Sequence, residues 1–233
     1  MSFCGAPIVV IVPIMATGTA SPDLRTKLID TTIKLLAEEG PAAVQARSVA
    51  NEAGVSTMAV YSHFGGMPEL LRAVADQGFR YLASAFEGTP KTDDPVTDVF
   101  RLALCYRDVA RQNPHLYDLM FGLSTRGAYR AIEYDLTPLS RSESPAFQEA
   151  FGHVVEAATR LVEAGRIRDG DPNVIAVQLW GFVHGFITLE LAGLLARFDD
   201  SVEQILLPMA INMLVGLGDT SERATRSMMP CVG

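Results

Sequence analysis

The stretch "AGVSTMAVYSHF" at residues 53–64 contains hydroxyl, thioether, phenol and imidazole groups but no Lys, Arg, Asp or Glu. A short helix that only packs against its own domain does not need such groups on its outer face. Hydroxyls and imidazoles donate or accept hydrogen bonds, and methyl and thioether groups make apolar contacts. The stretch therefore has the chemistry to contact the patterned edge of another molecule. The side chains concerned are Ser56, Thr57, Met58, Tyr61, Ser62 and His63.

Helix signals upstream of this stretch position it. In "SPDLRTKLIDTTIKLLAEEG", Ser21 can cap a helix, Pro22 suits the first helical position, and Asp23 complements the helix dipole. Apolar residues then recur with helical spacing until Gly40, a typical terminator.

A second, short helix is predicted over about 46–52, "ARSVANE". Gly54 allows a tight turn after it, and Ser56 can cap a third helix that ends at the glycine pair 65–66. Three helices in 21–66, the last two joined by a short Gly-containing turn, are the outline of a helix-turn-helix.

The rest of the chain shows helical periodicity and no sustained strand-like alternation. The predicted fold is therefore all-α: an N-terminal helix-turn-helix domain over 21–66, then a helical ligand-binding and dimerisation domain over 67–217. Residues 218–233 are expected to be a flexible tail. Residues 1–20 are expected to be disordered or to precede a true start at Met15, because Pro13 interrupts their apolar run and no basic residue precedes it. Helices are predicted at about 67–87, 96–112, 114–122, 145–165, 172–196 and 200–217, with irregular turns over 123–144.

Composition narrows the class of protein. The net charge is −8, 48% of the residues are hydrophobic, and the three cysteines are far apart without metal-ligand spacing. A reducing cytoplasm is the simpler compartment, and neither a metal nor a cofactor is expected. No GxSxG, HExxH, P-loop or GxGxxG motif occurs, so we expect no enzyme.

Two helices are apolar almost all round, at about 174–195 and 202–217. A helix of this kind is buried on all sides. We expect one side to pack on its own domain and the other to form half of a four-helix interface between two subunits. The alternative is an unusually deep core within one subunit.

Three segments carry a resemblance to a known family. "LIDTTIKLLAEEG", "RSVANEAGVSTMAVYSHF" and "ELLRAV" resemble the N-terminal domain of TetR-type transcriptional regulators, and "WGFVHG" at 180–185 resembles the Trp-His-Gly signature of one branch. The resemblance implies a homodimeric, all-helical repressor that binds a palindromic double-stranded DNA operator. It also implies that a small hydrophobic effector binds the C-terminal domain and changes the distance between the two DNA-binding domains.

The motif suggests a role for each exposed residue, since its last helix enters the major groove and the preceding one crosses the backbone. Thr57 and Met58 would contact base edges. The resemblance places Tyr61 and His63 against the DNA backbone. Four further residues are candidates for DNA contacts. Ser48, Ser56 and Ser62 are expected at phosphates, and Arg47 at a phosphate or a base edge.

Each of these roles has a structural alternative. Tyr61 could pack against the first helix, Met58 could be a core residue, and Arg47 could be simply solvated. A degenerate DNA-binding domain on a helical dimeric scaffold is the alternative function. This chain has Met67 at a position where family members often carry a lysine. In addition, residues 21–88 hold six basic and eight acidic groups. We therefore expect few phosphate contacts and a shallow salt dependence.

An effector pocket in a helical domain should be apolar with a few converging polar groups. Trp180 and His184, four residues apart, share one helix face. His184 is a pocket residue in one interpretation and a hydrogen-bonded core residue in the other. The full set of candidates is Tyr106, Tyr117, Met120, Phe121, Phe151, Trp180, His184 and Phe186.

Overall fold

The computed structural model describes residues 23–122 and 144–232, and these form ten α-helices with no strand among them. The N-terminal segment 1–20, the caps Ser21 and Pro22, and the irregular turns expected over 123–144 lie outside the described residues, apart from Ser144. The helices are α1 Leu24–Glu39, α2 Ala46–Glu52, α3 Thr57–Phe64, α4 Met67–Glu87, α5 Pro95–Gln112, α6 Pro114–Phe121, α7 Pro145–Glu163, α8 Pro172–Leu191, α9 Leu207–Leu217 and α10 Ser221–Met228.

The all-helical prediction is confirmed, and the helix boundaries follow local signals. Asp94, Ser144 and Asp171 cap α5, α7 and α8 by accepting hydrogen bonds from backbone N–H groups two or three residues on, each with proline at the start of the helix. The helix expected over 200–217 begins with a π-helical segment, Val202–Leu206, before α9.

Helices α1, α2 and α3 form a small N-terminal bundle that packs on α4. Helix α4 then runs into the second bundle and makes its largest contact with α7, which in turn packs on α8. Helix α6 lies against both α1 and α4. Helices α4 and α6 are therefore the elements that connect the N-terminal bundle to the rest of the protein.

The expectation of a flexible tail after residue 217 is wrong. Residues Ser221–Met228 form α10, whose N-cap Thr220 accepts a hydrogen bond from the Arg223 N–H, and Met228 is 1% exposed. The helix packs against α5 and α9. Its sequence is largely polar, so its order depends on partners that are distant along the chain.

Helix α8 is the one described helix long and apolar enough to cross a membrane. That test uses only length and composition, and the core helix of a soluble protein passes it too. Here α8 packs along α7 and buries Trp180, Phe186 and Ile187, which is the behaviour of a core helix.

Candidate nucleic-acid interface and interior cavity

A short turn fixes α3 relative to α2. Gly54 adopts φ +68°, a backbone conformation that residues with a side chain rarely adopt. The N–H of Val55 then donates to the carbonyl of Ala50 over 2.9 Å. Val60 and Phe64 on the inner face of α3 are buried. Because one face of α3 is packed and its start is fixed by the turn, its other face is held in a defined orientation.

That outer face is exposed, as its sequence suggested. Met58 is 68% exposed and Tyr61 is 52% exposed, and Thr57, Ser62 and His63 are exposed as well. A core position for Met58 is therefore wrong, and at least half of the Tyr61 side chain is open to solvent. The surface contains no Lys, Arg, Asp or Glu side chain, so it offers hydrogen-bonding groups and apolar contacts rather than fixed charges.

Ser56, just before α3, is expected to cap the helix, and Ser56 and Ser62 are both expected to contact phosphates. Ser56 occupies the N-cap position, but its side chain makes no capping hydrogen bond. Ser56 is exposed at the N-terminal end of α3, where the helix dipole favours an anion. The Ser62 hydroxyl donates to the carbonyl of Ala59 over 3.1 Å, within its own helix. A phosphate only accepts hydrogen bonds, so a phosphate contact by Ser62 would require its hydroxyl to leave the Ala59 carbonyl.

Few cations surround the outer face of α3. Arg47 on α2 is exposed and forms no ion pair with the described residues, whereas the Lys34 ammonium is bound to Glu52 over 2.8 Å. The Arg25 guanidinium lies over the Phe64 ring at 4.9 Å, so it packs at the end of α3. Ser48, next to Arg47, is half-buried.

An aromatic cluster occupies the interior of the second bundle, where α5, α6 and α8 meet. The hydroxyls of Tyr117 and Tyr106 lie 2.7 and 3.2 Å from Nδ1 of His184. Trp180 lies 4.9 Å from Tyr106 between ring centroids, and Phe121 lies 4.5 Å from the His184 ring.

This cluster is uncharged at neutral pH. Burial lowers the pKa of His184 below its ordinary 6.5, raises the pKa of Tyr117 to about 12, and raises that of Tyr106 well above 10. A neutral imidazole can accept a hydrogen bond at Nδ1 from only one hydroxyl at a time, with its proton on Nε2. The two tyrosine hydroxyls also hydrogen-bond to each other, so Tyr106, Tyr117 and His184 form one linked polar group within the apolar interior.

Beside the cluster is an apolar cavity of about 40 Å³. Its walls come from α4, α5, α7, α8, α9 and α10, and no charged side chain lines it. A smaller cavity of about 10 Å³ lies on the α6 side of Tyr106. The larger cavity is lined by residues that include Phe86, Phe100, Tyr106, Trp180, Met213 and Met228.

Comparison with known proteins decides the family. Residues 28–74 match the sequence model of the bacterial regulatory proteins of the tetR family, and residues 99–210 match that of a tetracyclin repressor-like C-terminal domain. The chain belongs to the TetR family. It is a DNA-binding transcriptional regulator.

Solved structures show the same fold. A protein of unknown function from Rhodococcus sp. RHA1 is 25% identical with a TM-score of 0.68, over 87% of this chain and 100% of that chain. RolR in complex with resorcinol is 19% identical with a TM-score of 0.61, over 88% and 92%. The TetR family transcriptional regulator PfmR from Thermus thermophilus is 20% identical with a TM-score of 0.52, over 87% and 98%. No curated protein matches the chain.

The structure of this TetR-family chain brings most of the predicted pocket residues together. Tyr106 and Trp180 line the larger cavity, and Tyr117 and Met120 line the smaller one with Tyr106. Phe121 and His184 belong to the aromatic cluster, and Phe151 lies 5.7 Å from Trp180. Phe186 is buried in the core and lines neither cavity.

Sequence reasoning missed several cavity residues of the TetR-family protein. The sequence assigns Phe86 to a helix without a role, and Met228 lies in the segment expected to be flexible. Helical spacing from Leu82 indicates that Phe86 is on the inner face of α4, but periodicity does not show that α4 and α10 meet at one cavity. Helical spacing within α4 and α5 is the signal that could have found Phe86 and Phe100.

Proposed function

We propose that the protein is a homodimeric repressor whose two α3 helices bind a twofold-related DNA operator and which a small hydrophobic ligand releases. The observation that carries the DNA-binding part is the exposed, uncharged outer face of α3, held by a packed inner face and a glycine turn. In a helix-turn-helix the second helix lies in the major groove. Thr57 and Met58 would then approach base edges, and Tyr61 would approach the backbone.

A second copy of the chain is proposed to cover α8 and α9. Val174, Gly181, Gly185 and Leu189 recur on one exposed face of α8, and Met209 and Val215 on α9 are exposed as well. A Cβ placed at Gly181 or Gly185 would have no atom within 4 Å, so a helix of the partner can approach closely there. Dimerisation would cover this apolar surface and set the spacing of the two α3 helices.

The proposed effector site is the larger cavity with the adjoining aromatic cluster. Its walls carry no charge, which favours an uncharged, largely apolar ligand. The linked side chains of Tyr106, Tyr117 and His184 supply the polar contact. RolR, with the same fold, has been solved with resorcinol. A small hydroxylated aromatic compound is therefore a sensible first ligand to test.

Helix α6 provides a physical path from the effector site to the DNA-binding bundle. Tyr117 and Phe121 on α6 contact His184, while Met120 packs on Gly78 of α4 so closely that a Cβ there would lie 2.5 Å from the Met120 sulfur. At its other end, α6 packs against α1. A ligand that displaced α6 would therefore move α4 and α1 together, and with them α3.

A binding assay tests the proposal. Fragments bound from the protein's own genome, beginning with the DNA upstream of its gene, would be measured by fluorescence anisotropy with the wild-type protein. Arg47→Ala and Tyr61→Phe should weaken binding, since each removes a proposed DNA contact. Arg226→Gln on α10, a helix that packs on α5 and α9, is the matched control and should leave affinity unchanged.

Two outcomes would contradict the proposal. Absence of binding to any fragment at low salt would favour a helical scaffold with a degenerate DNA-binding domain. Operator binding that no uncharged apolar compound reverses would refute the ligand-released repressor while leaving the DNA-binding role intact. The proposed location is the cytoplasm, where the genome is accessible.

A further inference from the structure

Helix α10 covers the apolar cavity although most of its surface is polar. Of its eight residues only Ala224, Ser227 and Met228 are buried. Met228 is 1% exposed and forms part of the cavity wall, whereas its neighbour Met229 is 47% exposed. The match to the C-terminal domain of the family ends at residue 210, so α10 lies outside it.

One buried arginine holds this helix in place. Arg166, from the connection between α7 and α8, forms ion pairs of 2.7 Å with Asp94 at the start of α5 and with Asp219 just before α10. Arg166 also donates to the Ser227 hydroxyl over 3.2 Å, and the Thr97 hydroxyl donates to the Ser227 carbonyl over 2.8 Å.

Polar contacts contribute most of the attachment of α10 to the rest of the protein, because α10 buries little apolar surface. Met228 is the only large apolar side chain that α10 places in the interior. Methionine is unbranched and flexible, so it can fill a cavity and leave it without disturbing the surrounding packing. The Asp219 carboxylate is 0% exposed, and without Arg166 it would be a buried charge lacking its closest cationic partner.

The turn before α10 can act as a hinge. Gly218 adopts φ +121°, and a Cβ at this position would lie 3.0 Å from the backbone nitrogen of Arg168. Arg168 in turn donates from its backbone N–H to the Leu217 carbonyl over 2.8 Å. The end of α9 is therefore fixed to the α7–α8 connection, and α10 follows it after three residues, Gly218, Asp219 and Thr220.

We propose that α10 is the entry gate of the effector cavity: Arg166 holds it closed, and its opening withdraws Met228 and admits an uncharged apolar ligand. The inference rests on the proposed function, because it takes this cavity as the effector site. It also explains the cavity's size. At about 40 Å³ the cavity with Met228 in place is far below the roughly 300–1,000 Å³ of pockets that bind drug-sized ligands.

Stopped-flow fluorescence with N-phenyl-1-naphthylamine, an uncharged apolar fluorophore, tests the gate. Trp180 is the only tryptophan of the chain and lines the cavity, so energy transfer from Trp180 to the probe reports binding at this site. Arg166→Met should raise the association rate at least about tenfold, because it breaks a buried ion pair and favours local opening. Thr97→Val, which removes a single hydrogen bond, should raise it by about threefold.

Controls separate the gate from general destabilisation. Arg226→Gln breaks the exposed Arg226–Glu222 pair on the same helix and should leave the association rate unchanged. In Arg166→Met and Thr97→Val, amide hydrogen exchange should accelerate over residues 221–228. Exchange in α4 and α7 of the same variants should match that of the wild type. Thr97→Val keeps the test available if Arg166→Met does not fold.

The outcomes distinguish this inference from the proposed function. Equal association rates in wild type, Arg166→Met and Thr97→Val would overturn the gate, even if the operator is bound and released by another compound. Failure of the probe to bind any variant would also overturn it. If Arg166→Met speeds probe association but the protein binds no DNA, the gate is supported and the repressor is refuted.

Discussion

Replacement of Arg47 by glutamine should make DNA binding both weaker and less salt-dependent. Between residues 23 and 66 there are four Lys or Arg residues and five Asp or Glu residues. Lys34 is bound to Glu52 over 2.8 Å, which leaves Arg25, Lys27 and Arg47 to neutralise phosphates. A dimer would then make at most about six cationic phosphate contacts, and the slope of log K against log salt would be about −5.

The expected effect follows from counterion release. With about six contacts, raising salt from about 50 to 200 mM should lower wild-type affinity by about 10³. Arg47→Gln removes one contact from each protomer, so about four remain, the slope becomes about −3.6, and the same change in salt costs about 10². At low salt the variant should bind more weakly than wild type, and the two affinities should converge as salt is raised.

Fluorescence anisotropy with the operator fragment, repeated at several salt concentrations, measures both slopes. Arg226→Gln, an exposed arginine on α10, should keep the wild-type slope because α10 packs on α5 and α9 rather than on the DNA-binding bundle. A wild-type slope near −10, as for a highly basic repressor, would show that the count of cations is wrong. An unchanged slope in Arg47→Gln would show that Arg47 meets no phosphate.

Three further predictions concern stability and assembly. Gly218→Ala should lower the free energy of unfolding by about 1–3 kcal/mol in chemical denaturation, because of its positive φ and the Arg168 backbone beside it. The wild-type free energy of unfolding should decline as pH falls below 6.5, the ordinary pKa of His184. In this pH range the unfolded state binds a proton at His184, whereas the buried ring of the folded state binds one only at the lower pH of its lowered pKa. His184→Gln should flatten that decline, and a pH dependence identical to wild type would contradict the assignment. Gly181→Arg should give a folded monomer in sedimentation velocity, since the site has no atom within 4 Å of a Cβ; a dimer would place the interface elsewhere.

The DNA-binding bundle was the most predictable part of the molecule. Its signals are local: Gly54 forces the turn, Val60 and Phe64 define the inner face of α3, and Met58 and Tyr61 are left on the outside. Helix α2 occupies residues 46–52 and α4 residues 67–87, as the capping and periodicity rules indicated. Local rules suffice here because the bundle is built from helices that are close in sequence.

The interior of the second bundle was only partly predictable. The spacing of Trp180 and His184 placed them on one face of α8, but the two tyrosines that meet His184 come from α5 and α6. Helix α10 was missed for the same reason. Its order depends on Arg166 pairing with Asp219, 53 positions along the chain. No periodicity in "SERATRSM" reports such a contact.

The shortage of cations bears on how such a regulator would be controlled. When few phosphates are neutralised, sequence-independent binding is weak, and most of the affinity has to come from base contacts made by both α3 helices at once. Two linked contacts gain affinity only while their spacing matches the operator. A modest displacement of α6, passed through Met120 and Gly78 to α4, would therefore release the DNA without having to overcome a large electrostatic attraction. A strongly basic repressor with the same movement would retain more of its non-specific binding.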